Sequence, residues 1–196
     1  EAGQFVFAAF YDSAGYHGCA EYHPFTIVSK PGNPTLRLIV KALGDCTQRM
    51  QQMRPGAVAR IHGPFGTFQH LAKPDSAQVW VAGGMGITPF LAMAAALPPD
   101  GPPVDLYYGT PSRHEAVSLA ELERIAASHP RLRLWPLFAD RGEMPKRERI
   151  LAQSGPLAGK EFFICGPAAM TGALTQQLRA AGVSESAVHT ERFDFR

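Results

Sequence analysis

Short apolar runs broken by Gly and Pro fill the first third of the chain, at residues 5–10, 26–29, 36–41 and 58–62, the last leading into Gly63-Pro64-Phe65-Gly66. This spacing predicts an antiparallel β-barrel or sandwich, with one helical exception at residues 46–53. From residue 76 the rhythm changes. Apolar runs at 78–82, 105–108, 131–138 and 161–165 alternate with segments of helical period at 88–97, 119–128 and 168–181. Strands alternating with amphipathic helices predict a parallel sheet covered on both faces. Lys73, Pro74 and Asp75 form a polar linker, which divides the chain into residues 1–73 and 76–196. The predicted fold class is an α+β two-domain arrangement, an N-terminal antiparallel β-barrel followed by an α/β parallel-sheet nucleotide-binding domain. Two helix ends carry signals: Ser118 with Glu121 three residues on reads as a capping box, and Gly182 as a helix stop.

Composition narrows the function classes. Of 196 residues 45% are apolar and 18% charged, which supports a packed core rather than disorder. The net charge of +2, without a dense Lys/Arg block, lacks the footprint of a nucleic-acid binder. No apolar run approaches the roughly 20 residues of a membrane-spanning helix. Cys19, Cys46 and Cys165 are odd in number and have no C-x-x-C spacing, so neither a disulfide framework nor a structural zinc site is expected, and no metal is assigned. A reducing compartment is the default. The chain opens on Glu1, without Met and close to an apolar strand, which predicts a barrel lacking its first strands.

The sequence VWVAGGMGITPF places Gly83, Gly84 and Gly86 at the end of an apolar strand and the start of a helix. Open α/β sheets bind ligands at such turns, because backbone lacking Cβ atoms can approach a pyrophosphate and a helix start favours anions. Thr88 offers a hydroxyl donor and Pro89 suits the first helical turn. Tight packing alone is the competing explanation for the glycines. Pro89 stands where the fingerprint G-x-G-x-x-G has its last glycine, which implies a differently docked nucleotide.

Five segments, in order, resemble the ferredoxin-NADP reductase superfamily, and within it the membrane ferric reductase and NADPH oxidase branch. They are His23-Pro24-Phe25-Thr26, the stretch from Val40 to Thr47, GGMGITPF, Cys165-Gly166-Pro167 and Glu191-Arg192-Phe193. The resemblance implies that Phe25 packs on the isoalloxazine of FAD, that Thr26 hydrogen-bonds near its redox-active ring, and that His23 lies near the ribityl or phosphate portion. It also implies that Lys41 and the backbone of Gly44 and Thr47 meet the flavin pyrophosphate. Asp45 is expected to cap the short helix there. The branch carries Trp where this chain has Cys46. By the same resemblance Cys165, with Gly166 and Pro167, faces the nicotinamide, Glu191 is a polar group near the hydride path, and Phe193 shields the flavin. Inert packing remains the alternative for Cys165 and for the terminal segment.

Thr26, Cys165 and Glu191 are thus the expected catalytic residues, and Gly84, Gly86, Thr88 and Pro89 join the cofactor-binding set. Preference for NADPH over NADH needs a positive charge near the adenosine ribose. Arg113 is the candidate and Arg141 a second, although the family's arginine aligns by length with Pro111. The implied activity is hydride transfer from NAD(P)H to FAD, then single electrons to an acceptor. In that branch the acceptor is haem of an upstream membrane domain, with this segment on the cytoplasmic side. Two alternatives stay open: a soluble reductase component of an oxygenase system, and a nucleotide-binding regulatory domain without turnover.

Overall fold

The computed structural model describes residues 1–11, 18–70 and 75–191. Strands β1 (Phe5–Phe10), β2 (Cys19–Thr26) and β3 (Ala59–Phe65) form an antiparallel sheet in the order β2-β1-β3. Helix α1 (Asp45–Met50) lies between β2 and β3 in sequence. Pro24 sits opposite Phe7 in the edge strand, where a missing N–H costs no ladder bond. Pairing with β1 extends β2 backward from the run expected at 26–29, so His23-Pro24-Phe25-Thr26 lies inside a strand. The run at 36–41 forms no strand. It makes one isolated bridge, Ile27 to Leu38, because no continuous partner lies alongside it among the described residues.

The second half is a five-stranded parallel sheet, built of β4 (Gln78–Gly83), β5 (Val104–Thr110), β6 (Leu132–Phe138), β7 (Glu161–Cys165) and β8 (Val188–Glu191) in the order β6-β5-β4-β7-β8. Its helices are α2 (Thr88–Ala95), α3 (Leu119–Ser128), α4 (Arg147–Ser154) and α5 (Ala168–Ala180). Every residue of β4 is buried, as a strand covered on both faces requires. Period-two alternation sends Trp80 and Ala82 into the layer of Phe90, Met93 and Leu106, and sends Val79 and Val81 into the opposite layer with Tyr107, Ile164 and Leu178. Ala2, Val28 and Phe68 join the Trp80 layer, so the first half packs on the second through a shared core. The bidentate pair Arg37–Glu121, at 2.7 and 2.9 Å, ties the two halves at the surface.

The α5 stop behaves as its glycine predicts. Gly182 has φ +84°, its N–H donates to Arg179 O at 2.9 Å, and Val183 N–H donates to Leu178 O at 3.1 Å. Ser118 does not. It holds φ +55°, a left-handed backbone from which its hydroxyl makes no side-chain cap, and Glu121 pairs with Arg37 instead of reaching back to it. No helix among the described residues is long and apolar enough to cross a membrane.

Candidate functional site

The carboxyl end of β4 opens where the strand order reverses, between β5 and β7. Parallel registers set Gly83 beside Gly109, Ala82 beside Cys165, and Cys165 beside Glu191. One sheet edge therefore gathers the glycine turn, Cys165-Gly166-Pro167 and Glu191 from three separate parts of the chain. A Cβ on Gly86 would stand 2.2 Å from the Cys165 carbonyl oxygen, and one on Gly83 would stand 2.7 Å from Met170 Sδ. Gly166, at φ +155°, would place a Cβ 2.9 Å from Gly83 N. These glycines seat one turn against the other. Gly84 differs, with φ +53° and open space where a side chain would be. The Thr88 hydroxyl donates to Met85 O at 3.0 Å and so closes the turn on itself, while Pro89 occupies the first turn of α2.

Cys165 is fully buried, and burial followed by the charge of Glu191 pushes its thiol pKa up. Burial therefore favours the neutral thiol at this position. Glu191 is half-buried, and burial pushes its carboxyl up to about 7. Its Oε2 is shielded from solvent and has no hydrogen-bond partner among the described residues. Such an oxygen is an acceptor waiting for a donor. Phe193 lies outside the described residues.

A cleft of about 550 Å³ opens between the two halves. His23, Pro24, Phe25, Thr26, Lys41, Gly44 and Thr47 line it, together with Met85 and Thr88 from the glycine turn. Thus the first-half residues singled out in the sequence converge, and the cleft runs into the turn that borders Cys165. The Phe25 ring lies 6.4 Å from both Phe10 and His23. At the start of α1, Thr47 Oγ1 accepts from Gly44 N at 3.0 Å and from Leu43 N at 2.9 Å. This N3-to-cap arrangement makes Gly44 the cap, and Asp45 is the first helical residue rather than the expected cap. The first helical bond is Gln48 N–H to Gly44 O, so the amides of Asp45, Cys46 and Thr47 precede the ladder. A separate cleft of about 420 Å³ between α5 and β8 is lined by Thr175, Arg179, Glu185 and Thr190 and shares no residue with these.

One expectation needs correction. Cys19 and Cys46 are joined as a disulfide, with Cα atoms 5.5 Å apart. Distance in sequence was a poor guide, because the β1–β2 pairing brings the start of β2 against α1. Cys46 also lines the cleft, as does Glu21, and neither was singled out. Arg113 pairs at the surface with Glu123 at 2.8 Å, while Ser112 Oγ donates to Glu115 at 3.1 Å. Arg141 lies over the Phe138 ring, 5.2 Å from its centroid.

Residues 1–83 match the family described as "FAD-binding domain", and residues 80–176 match "Oxidoreductase NAD-binding domain". A naphthalene 1,2-dioxygenase system ferredoxin–NAD(P)(+) reductase component from Pseudomonas putida is 25% identical over 87% of this chain and 55% of its own length. The ferredoxin reductase component of a 3-ketosteroid-9-alpha-monooxygenase from Mycolicibacterium smegmatis is 33% identical over 68% of this chain and 39% of its own. The chain thus spans about half or less of these relatives. The crystal structure of a flavohemoglobin from Malassezia yamatoensis, with bound FAD and heme, superposes with a TM-score of 0.81 at 24% identity, covering 98% of this chain and 51% of that one. That likeness shows the two-part fold.

Proposed function

We propose that this chain, a member of the ferredoxin-NADP reductase superfamily with an FAD-binding and an NAD-binding oxidoreductase domain, is an NAD(P)H-dependent flavoprotein reductase that feeds single electrons to a separate redox protein of an oxygenase system. FAD supplies the conversion of a two-electron donor into one-electron chemistry. The observation that carries the reading is the continuity of one cleft, from Phe25 and Thr26 through Met85 and Thr88 to the edge holding Cys165 and Glu191. The two named reductase components belong to oxygenase systems, which weighs toward this acceptor rather than the haem of a membrane ferric reductase domain.

Residues 1–73 form the flavin-binding unit and 76–196 the nucleotide-binding unit. Phe25 provides an apolar face that excludes water, Thr26 a hydroxyl for the redox-active ring, and His23 and Pro24 the wall beside it. Lys41, with the α1 amides behind Gly44 and Thr47, balances the pyrophosphate charge. Gly84 admits the nucleotide backbone at the switch point, with Gly86, Thr88, Pro89, Gly166 and Pro167 holding the turns in register. Glu191 accepts a hydrogen bond from the nicotinamide amide, and Cys165 packs beside the ring. Arg113 exchanges Glu123 for a ribose phosphate, which gives a preference for NADPH over NADH of about tenfold, the yield of one charge-assisted hydrogen bond.

Anaerobic absorbance of the FAD-loaded protein tests this. NADPH bleaches the flavin faster than NADH does, Arg113→Ala equalises the two, and a one-electron acceptor such as cytochrome c reoxidises it. A protein that holds FAD yet stays unbleached by either nucleotide sinks the enzyme reading, and equal rates unaffected by Arg113→Ala sink only the nucleotide assignment.

A further inference from the structure

In β2, Cys19, Glu21 and His23 stand at alternate positions across the irregular register opposite Ala8 and Phe10, and their ligand atoms meet at one place. Helix α1 brings Cys46 to the same place. One ligand atom from each of these four residues lies within 4.8 Å of the others. Cys19 Sγ is 3.7 Å from His23 Nε2, and His23 Nε2 is 3.9 Å from a Glu21 carboxylate oxygen. Bond lengths for zinc to sulfur, imidazole and carboxylate, taken tetrahedrally, require donor separations of about 3.4–3.8 Å. Little movement separates the four donors from that geometry once the sulfurs are free to part.

We propose that Cys19, His23 and Cys46, with Glu21 as fourth donor, form a binding site for a soft divalent cation of the Zn²⁺ class, exclusive with the Cys19–Cys46 disulfide. The donor set decides the class, since two thiolates and an imidazole favour zinc over the hard, oxygen-seeking cations. An external dithiol opens the disulfide, giving up two electrons and two protons to yield two thiols and becoming a disulfide itself. The cation then binds both sulfurs as thiolates and displaces their two protons to water. A compartment that keeps thiols reduced favours the metal form, and an oxidising one the bridge. His23 and Cys46 both line the cleft, so either state ties strand β2 to α1 at its wall. The site stands whether or not the flavin reading does, since its readout is the metal.

The full chain is reduced with a phosphine under argon, freed of reductant and titrated with Co²⁺ as a spectroscopic stand-in for zinc. One Co²⁺ per chain, a thiolate-to-cobalt charge-transfer band and its displacement by Zn²⁺ are expected. Cys46→Ser and His23→Gln, compared under the same reducing conditions, bind Co²⁺ at least tenfold more weakly, and unreduced protein shows no charge-transfer band. Absence of the band in reduced wild-type protein overturns the proposal, as does an undiminished band in Cys46→Ser. Retained near-ultraviolet circular dichroism checks that each variant keeps its core.

Discussion

Glu191 combines a half-buried carboxyl, an unpartnered oxygen and a place beside Cys165 at the ligand edge of the sheet. Burial raises its pKa from the ordinary 4.5 to about 7. Between these values the native protein keeps a proton that the unfolded chain has released. The associated stability is complete below about pH 4.5 and is lost as pH rises through 7. The same titration sets its chemistry, because only the ionised form accepts freely from a nicotinamide N–H. Flavin reduction by nucleotide is therefore expected to rise with pH through about 7 and then level off. In Glu191→Gln the step disappears and the plateau falls about tenfold, the worth of one charged hydrogen bond. Stopped-flow rates across pH 5.5–8.5 check this, and an unchanged step in the variant removes Glu191 from the nucleotide site. Burial of this carboxyl could not be read from the sequence, because it depends on β8 pairing with β7, and the short run at residues 188–191 carries little apolar pattern.

Elements with a strong local signal were legible: β7 and α3 have the limits that the pattern predicts, and β4, β5, β6 and α5 differ from them by a residue or two. What failed were features that depend on distant partners. The run at 36–41 has strand composition but no ladder, β2 begins at Cys19 because β1 holds it, and α4 is too polar to stand out. Ser118 is the sharpest case, since its sequence neighbours describe a cap while its backbone is left-handed at φ +55°. A non-glycine residue there costs about 1–2 kcal/mol, so Ser118→Gly, freed of that strain but paying glycine's larger chain entropy, is expected to stabilise the fold by about 0.5–1 kcal/mol. A capping serine would instead lose a few tenths of a kcal/mol on the same change. Urea unfolding separates the two outcomes by their sign.

At the scale of the molecule, the two sheets and their change of rhythm near residue 76 follow from hydrophobic period, whereas the cleft between them does not, because it is made by how the halves pack. His70 lies instead by the start of β4, where its carbonyl accepts from Gln78 Nε2 at 2.9 Å, with 2% of its surface exposed and its ring 5.3 Å from Trp80. Neither ring nitrogen has a partner among the described residues, and burial lowers its pKa from 6.5 to about 4. The unfolded chain therefore binds a proton between pH 6.5 and 4 that the native protein refuses. Stability is complete above about 6.5 and declines as pH falls toward 4, by on the order of 3 kcal/mol from this one group. His70→Leu removes the titration and leaves no unsatisfied nitrogen, so it is expected to change stability little at pH 7.5. As pH falls the variant gains on wild type, by a margin that widens until about pH 4. Because carboxylates elsewhere titrate in both proteins, the difference between the two unfolding curves isolates the histidine. Parallel curves from pH 7.5 to 4 would show that His70 stays hydrated or takes up its proton in place, and that the core beside Trp80 is open to water.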